Sequence, residues 1–168
     1  YLYRDSESLD MKTIYLAGGC FWGTEHYMRQ FEGVVETVVG YANGSLPEPS
    51  YQEVYTDQTG HVECVKVVYD EAVVSLKTLC RMFFRSIDPL LLNRQGGDVG
   101  TRYRTGIYWV CEEDNEVVEQ VWQEVQARFS EPLAVEKRPL KCFYSAEEYH
   151  QDYLLKNPDG YCHISPSE

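Results

Sequence analysis

The chain has 168 residues, of which 43% are hydrophobic and 25% are charged, a composition typical of a single folded globular domain. It carries 15 lysine and arginine residues against 27 aspartate and glutamate residues, a formal net charge of −12 at pH 7. This charge repels phosphate backbones and anionic lipid surfaces, so we expect neither a nucleic acid nor a membrane as partner.

The first predicted unit is a strand, a helix and a second strand. Residues 12–17 are rich in β-branched and aromatic side chains, which predicts a strand that ends in a pair of glycines. Cys20 follows these glycines. Apolar residues at helical spacing predict a helix from Phe21, which Gly33 ends, and residues 34–42 predict the second strand.

A third strand and a second helix follow. Residues 61–69 alternate in polarity, so Glu63 lies on an otherwise apolar face and Cys64 points to the other face. The residues that share the face of Glu63 are Val65, Val67 and Tyr69. Residues 76–87 carry one apolar stripe at helical spacing, and Ser75 is placed to cap the N-terminus of that helix.

The second half of the chain begins with a polar, glycine-rich segment. Residues 93–104 predict a long loop that packs into no core, and such loops tend to be functional. Residues 105–111 predict a buried strand, and an acid-led helix follows, with Val117, Val118, Val121, Val125 and Phe129 turned inward. Residues 133–144 predict one or two short strands. Ser145 and Glu148 match a capping box that opens a last helix.

Alternating strands and helices predict an α+β fold, a two-layer α/β sandwich with a ferredoxin-like βαββαβ core plus C-terminal additions. We predict one domain over residues 12–168 and an N-terminal extension or linker over residues 1–11. The first ten residues contain no apolar block of the kind that directs secretion, which favours a cytoplasmic protein. A trimmed export signal would instead make the protein periplasmic or secreted.

The cysteine spacing argues against a structural zinc site. The six cysteines are Cys20, Cys64, Cys80, Cys111, Cys142 and Cys162. No two of them form the closely spaced pair typical of zinc ligands, so we expect no metal. A domain of this size does not need disulfides in order to fold. We therefore expect most of these thiols to be reduced and buried, and ask which one is exposed and reactive.

Cys20 is the first candidate for a reactive thiol. It stands at a predicted strand-to-helix turn, where free backbone N–H groups and the helix dipole favour a thiolate. The flanking glycines allow a ligand to approach the backbone, and Phe21 and Trp22 are placed to wall an apolar pocket. The competing interpretation is a buried cysteine behind a glycine turn, because cysteine is among the most often buried residue types.

Further polar residues are candidates for the same site. Desolvation on an apolar face would keep Glu63 neutral and make it a proton donor, although a solvated glutamate at the end of a strand is the simpler interpretation. Tyr51 and Tyr103 lie in or beside loops, where their hydroxyls can donate to a substrate oxygen. Asp98 lies in the glycine-rich segment. We place His150 with the substrate-binding residues, although such a histidine is more often solvated or structural.

Five segments in order resemble the A-class peptide methionine sulfoxide reductases (MsrA). The segments are residues 18–23 (GGCFWG), 59–63 (TGHVE), 94–104 (RQGGDVGTRYR), 146–153 (AEEYHQDY) and 157–162 (NPDGYC). The likeness extends from about Lys12 to His163, nearly the whole chain. Two departures are Gly97, where many members carry asparagine, and the short tail of six residues after Cys162, which lacks the second recycling cysteine of some members.

The resemblance implies reduction of methionine S-sulfoxide, free or protein-bound, to methionine. Cys20 would attack the sulfoxide sulfur while protonated Glu63 gives its proton to the departing oxygen. By the same resemblance, Tyr51 and Tyr103 donate hydrogen bonds to that oxygen. Asp98 would act through an ordered water, and Phe21 and Trp22 would hold the S-methyl group.

The resemblance also implies how the enzyme is recycled. Cys162 would condense with the sulfenic acid on Cys20 to form a disulfide, which thioredoxin reduces by thiol exchange. The other four cysteines would take no part, and no metal or organic cofactor would be required. We expect a monomer, or a module of a longer polypeptide fused to a B-class reductase.

Three other functions fit some of these residues. A thiol peroxidase also passes through a sulfenic acid and a resolving thiol, but it would need an activating arginine near Cys20. A cysteine hydrolase would use His26, His61 or His150 as its base. A binding module for oxidised methionine would have the pocket and no chemistry.

Overall fold

A computed structural model describes residues 11–151, and residues 1–10 and 152–168 lie outside this description. Its strands are β1 (Met11–Gly18), β2 (Val34–Ala42), β3 (Val62–Asp70), β4 (Arg94–Gln95), β5 (Asp98–Val99), β6 (Thr105–Trp109), β7 (Glu136–Pro139) and β8 (Phe143–Ser145). Its helices are α1 (Phe21–Arg29), α2 (Tyr51–Tyr55), α3 (Leu76–Arg85) and α4 (Asp114–Gln126). Short 3₁₀ turns cover Thr101–Tyr103 and Glu148–His150.

Six of these strands form one sheet in the order β7-β6-β1-β3-β2-β8, while β4 and β5 form a separate hairpin. Every neighbouring pair from β6 to β8 in this order is antiparallel, whereas β7 is parallel to β6. The chain runs strand, helix, strand twice, as the alternating pattern predicts. The mixed α/β class is confirmed, and the ferredoxin-like description of the core stays a prediction.

The two faces of the sheet are packed differently. One face carries α1, α3 and α4, and the main hydrophobic core lies between these helices and the sheet. Val65 and Tyr69 of β3 belong to that core, whereas Cys64 packs on the other face with Ala17 and Tyr108. The predicted alternation of β3 is therefore confirmed, and it places Glu63 on the helix-covered face.

The second predicted helix is present as α3. The Ser75 hydroxyl accepts the backbone N–H of Thr78 at 3.1 Å, which satisfies a donor that the first turn of the helix leaves free. The stripe buried against the sheet consists of Leu76, Leu79, Cys80, Phe83 and Phe84. The helix ends at Arg85, so Ile87 packs against the core from outside it.

The segment 93–104 packs more tightly than its composition predicts. It forms the β4–β5 hairpin and a 3₁₀ turn, and Gln95, Arg102 and Tyr103 are buried. The Gln95 carboxamide accepts the N–H of Asp88 at 2.9 Å and donates to its carbonyl at 2.8 Å. The prediction of a loop outside the core is therefore wrong, because polar side chains can be buried where they are hydrogen-bonded.

The capping box predicted at Ser145 is also wrong. Ser145 is the last residue of β8 and pairs with Gly40 of β2, so its backbone is extended. A capping box does occur at Ser50 and Glu53, where it opens α2. The predicted helix after Ser145 is a 3₁₀ turn as far as residue 150, and its continuation lies outside the described residues.

The five described cysteines are free thiols, and their burial differs. Cys20, Cys64 and Cys80 are buried, Cys142 is half-buried and Cys111 is exposed. Cys162, the predicted resolving residue, lies outside the described residues. Within residues 11–151, no helix combines the length and the apolar character needed to cross a bilayer.

Candidate active site

β1 leads directly to Cys20 at the start of α1. Gly19 has a φ of +92°, in the left-handed region that favours glycine, and turns the chain from strand to helix. Cys20 is the N-cap residue of α1. Its side chain therefore stands where unpaired N–H groups and the helix dipole concentrate positive potential. The strand-to-helix turn that the sequence predicts is present.

The environment of Cys20 differs from the expected one. The residue is only 7% exposed, so most of its surface is buried. Burial raises the pKa of the Cys20 thiol well above its ordinary value, and the charges of Glu63 and Asp98 raise it further. The amides of Trp22 and Gly23 lower it by less. Desolvation and the charges of Glu63 and Asp98 therefore act against the thiolate that the helix terminus favours.

Glu63 is buried beside the start of α1. It is 1% exposed, and its Oε1 accepts the backbone N–H of Phe21 at 3.1 Å. Burial raises the pKa of Glu63 to about 8, although the Phe21 amide and the Arg102 charge act in the opposite direction. The Glu63 carboxyl is therefore mostly protonated at neutral pH. This shift is the one that a carboxyl on an apolar strand face predicts.

Two tyrosine hydroxyls belong to the same group. Tyr51 is the first residue of α2, and burial together with the charges of Glu63 and Cys20 raises its pKa to about 12. Tyr103 is 6% exposed, and burial with the Glu63 charge also raises its pKa. Both hydroxyls are therefore protonated at neutral pH and able to donate hydrogen bonds.

An ion pair that the sequence did not reveal holds this group together. Arg102 Nη1 lies 2.7 Å from Asp57 Oδ2, and the N–H of Arg102 donates to Asp57 Oδ1 at 3.0 Å. The guanidinium lies 4.4 Å from the centre of the Tyr103 ring. Asp57 thus fixes the residue that precedes Tyr103, in the same segment as Asp98. No local motif marks Asp57, which is 45 residues away from Arg102 along the chain.

Aromatic rings form the apolar wall of the site. The ring centre of Phe21 lies 6.4 Å from that of Trp22 and 5.4 Å from that of His150. Trp22 Nε1 donates to His150 Nδ1 at 3.2 Å. Burial lowers the pKa of His150, so the imidazole is neutral at pH 7. The three predicted substrate-binding residues are therefore contiguous.

Residues 146–151, here called the strap, bring His150 to this wall. Glu147 accepts hydrogen bonds from the Tyr41 hydroxyl and from the N–H of Tyr51, each at 3.1 Å. The Gln151 carboxamide accepts the N–H of Val39 at 2.9 Å and donates to its carbonyl at 3.0 Å. The strap is thereby fixed to β2 and α2. The sequence pattern gave no sign of these bonds.

The candidate histidine bases are less well placed than Glu63. His61 Nδ1 accepts the N–H of Gly44 at 3.1 Å, and Nε2 lies 2.6 Å from the carbonyl oxygen of Leu46. Both ring nitrogens of His61 are thus engaged by backbone groups of a loop. His150 Nδ1 accepts from Trp22, as described above. The arrangement favours a carboxyl acid beside the Cys20 thiol over a cysteine–histidine pair.

Most of the predicted site residues therefore meet at one end of the sheet. A thiol, a largely neutral carboxyl and two hydroxyl donors stand against an apolar wall. These groups suit a small ligand that is polar on one side and apolar on the other. The predicted residues brought together are Cys20, Phe21, Trp22, Tyr51, Glu63, Asp98, Tyr103 and His150. Cys162 cannot be placed among them.

Known proteins of one family match this chain over nearly its whole length. A model of the family described as peptide methionine sulfoxide reductase matches residues 12–168. A peptide methionine sulfoxide reductase MsrA of Clostridium botulinum is 56% identical over 155 residues, which are 92% of this chain and 98% of the relative.

Two solved structures are also similar to this chain over most of its length. Mxr1 of Saccharomyces cerevisiae in its reduced form is 39% identical, with a TM-score of 0.88 over 94% of this chain and 92% of that chain. Mxr1 in complex with Trx2 is 29% identical, with a TM-score of 0.61 over 86% of each chain.

Proposed function

This chain belongs to the peptide methionine sulfoxide reductase family and is an oxidoreductase, and from that premise we propose how its residues reduce the substrate. The substrate is the S epimer of methionine sulfoxide, free or in a polypeptide, and the product is methionine. Cys20 is the nucleophile and Glu63 is the acid. The buried carboxyl of Glu63, with a pKa of about 8 and within 3.1 Å of the Phe21 amide, carries this proposal.

In the reductase step, the Cys20 thiol reduces the sulfoxide and is itself oxidised. The Cys20 sulfur attacks the sulfoxide sulfur as Glu63 gives its proton to the oxygen. The thiol proton returns to Glu63, so the carboxyl is regenerated. The sulfoxide sulfur gains two electrons and leaves as the thioether of methionine. The S–O bond of the sulfoxide breaks, and an oxygen with its proton is gained by the Cys20 sulfur, which loses two electrons and is left as a sulfenic acid, so no net water is consumed or released in this step.

Hydroxyl donors around Glu63 stabilise the negative charge that develops on the sulfoxide oxygen. Tyr51 and Tyr103 are protonated hydroxyls near Glu63, and they donate hydrogen bonds to the sulfoxide oxygen as it takes up negative charge. Asp98 acts through a water molecule. Phe21 and Trp22 contact the S-methyl group. An apolar wall opposite a set of donors accepts one arrangement of methyl and oxygen about the sulfur, which favours one epimer.

A disulfide completes the cycle. The thiol of Cys162 condenses with the sulfenic acid on Cys20 and releases water, and a thioredoxin reduces the resulting disulfide by exchange. The solved complex of Mxr1 with Trx2 supports a thioredoxin as reductant. This route uses neither a metal nor an organic cofactor, because the thiols carry the electrons.

A single incubation without reductant tests the reductase step and the resolving thiol together. Reduced protein is mixed with N-acetyl-methionine sulfoxide, and methionine product and free thiols are counted. The expected result is one product molecule and two lost thiols per protein. Loss of no thiol with no product would contradict the reductase and leave a binding protein. Consumption of hydrogen peroxide in preference to the sulfoxide would favour a thiol peroxidase.

Cys162→Ser separates the two stages. This variant should form one methionine per protein, leave a sulfenic acid that dimedone traps on Cys20, and lose thioredoxin-driven turnover. Cys142→Ser is the matched control, because Cys142 is half-buried with its Sγ 3.6 Å from the Gly44 carbonyl oxygen. It should turn over like the unmodified protein. Equal steady-state rates for Cys162→Ser and the unmodified protein would remove Cys162 from the cycle.

A further inference from the structure

We infer that Tyr55 and Tyr149, here called the outer rim, bind apolar side chains that flank an oxidised methionine in a polypeptide. This inference rests on the proposed function and specifies its substrate. It predicts a reductase that prefers methionine sulfoxide within apolar segments, such as those exposed when a protein unfolds.

A continuous series of rings joins the outer rim to the site. The ring centre of Tyr149 lies 4.1 Å from that of His150, which lies 4.7 Å from that of Tyr51. The ring of Tyr51 lies 6.0 Å from that of Tyr55. His150 contacts Phe21 of the apolar wall, so the two inner rings of this series line the site. The outer rim therefore continues, at the surface, the series of rings that begins at the site.

The two rim residues are exposed while the inner ones are not. Tyr55 and Tyr149 are each 56% exposed, whereas His150 is 2% exposed. Among the large hydrophobic side chains that are exposed in residues 11–151, these are the two aromatic ones. Exposed tyrosines offer a large contact area with few rotatable bonds, and for this reason they are enriched in interfaces. Their position at the site points to a polypeptide substrate.

The rim is also held in place before any substrate arrives. The Arg102 guanidinium lies 4.2 Å from the centre of the Tyr55 ring and donates to the Tyr55 carbonyl at 3.1 Å. Asp57 fixes that guanidinium, as described above. Tyr149 lies in the strap between residues whose side chains bond to β2 and α2. A fixed surface loses little conformational entropy when a peptide binds.

The spacing suits a short extended peptide. An extended chain advances about 3.3 Å per residue, so a segment of about five residues is long enough to reach both rim rings. Its central side chain would enter the site beside the paired rings of Tyr51 and His150. Free methionine sulfoxide has no flanking side chains and would leave the rim uncovered.

Paired peptides test the inference. Two blocked pentapeptides carry methionine sulfoxide at the centre, with leucine at both ends in one and serine at both ends in the other. We expect the unmodified protein to have a higher kcat/KM for the leucine peptide. In the double variant Tyr55→Ser, Tyr149→Ser, the ratio of the two kcat/KM values should fall on the order of tenfold. A ratio within one protein cancels any general effect on the chemistry or on folding.

The controls are Val35→Ser and Val73→Ser, which remove exposed apolar side chains elsewhere on the surface. Both should keep the ratio of the unmodified protein. Equal kcat/KM values for the two peptides in the unmodified protein, or a ratio unchanged in the double variant, would overturn the inference. Failure to reduce N-acetyl-methionine sulfoxide as well would instead overturn the proposed function on which it rests.

Discussion

Two groups, each with a thiol, a carboxyl and a phenol, lie near opposite ends of β3. The site group has the thiol of Cys20, the carboxyl of Glu63 and the hydroxyl of Tyr51. The distal group has Cys80, Asp114 and Tyr69. In both groups, burial raises the pKa of the thiol, the carboxyl and the phenol. Residue type and burial alone therefore do not distinguish them.

The surroundings of the two thiols and carboxyls differ. Cys20 caps the N-terminus of α1, whereas Cys80 lies within α3 and is fully buried. Glu63 accepts a helix N–H, while Asp114 Oδ2 has no hydrogen-bond partner among the described residues. The Lys12 cation lowers the pKa of Asp114 and offsets part of its rise. The features that set the site group apart are therefore the N-cap position of its thiol and the apolar wall beside it.

Removal of the thiols should give the largest contrast. Cys20→Ser should abolish methionine formation, because the serine hydroxyl cannot reduce a sulfoxide. Cys80→Ser should keep kcat/KM within about twofold, since that thiol touches no substrate, although a polar group buried without a partner costs about 1–3 kcal/mol of stability. Methionine release, measured by chromatography, checks both variants. A Cys80→Ser protein that folds but is inactive would place the chemistry at the distal end.

Removal of the carboxyl proton should have the next largest effect. Glu63→Gln keeps the shape and an acceptor for the Phe21 N–H, but it provides no acidic proton. The reductase rate in single turnover should fall by about 10²–10⁴-fold, the usual contribution of general acid catalysis. Asp114→Asn is the matched control and should leave that rate unchanged. A Glu63→Gln variant as fast as the unmodified protein would exclude Glu63 as the acid.

The pH dependence of kcat/KM should also distinguish Glu63 from Asp114, with a smaller effect than the substitution of Glu63. The reductase step needs protonated Glu63, whose pKa is about 8. The value of kcat/KM should therefore fall about tenfold for each pH unit well above 8. Asp114→Asn should show the same profile as the unmodified protein. A profile that rises through pH 8 to 9 would mean that ionisation of the thiol, rather than loss of the Glu63 proton, controls the rate.

Stability should respond to the same titration. The folded pKa of Glu63 is raised from 4.5 to about 8, so the folded state binds its proton more tightly than the unfolded state does. The protein therefore loses stability as pH rises from below 4.5 to above 8, by up to about 5 kcal/mol in all. Glu63→Gln should unfold at higher urea concentration than the unmodified protein at pH 8, with the difference shrinking to its smallest near pH 4. An equal difference in the urea concentration of unfolding at both pH values would contradict the raised pKa of Glu63.

The parts of the site that depend on local periodicity could be predicted from the sequence. The alternation of β3 placed Glu63 on the covered face, and the glycine pair marked the turn before Cys20. The ionisation of the Cys20 thiol could not be predicted this way. It depends on burial and on carboxylates from distant segments, which outweigh the helix terminus.

Contacts across the chain account for the remaining errors. Arg102 and Asp57 pair only because the fold brings two loops together. Ser145 matches a capping box by its local sequence, but pairing of β8 with β2 determines its conformation instead. The burial of Gln95 depends on its bonds to the Asp88 backbone, which composition does not reveal. Each error comes from an interaction partner far along the chain or across a turn.

The Gln151 carboxamide bonds to the backbone of Val39 as an adjacent peptide group would. β8 pairs with β2 from Gly40 to Ala42, and the carboxamide together with the Ala146 N–H continues the hydrogen bonding along that edge of β2 to Val39. A strand edge with unpaired backbone N–H and C=O groups is a template with which strands of other chains can pair. Deamidation of Gln151 to glutamate would replace the amide donor by a carboxylate and repel the Val39 carbonyl. One chemical ageing event would thus weaken the hydrogen bonding at this edge of the sheet.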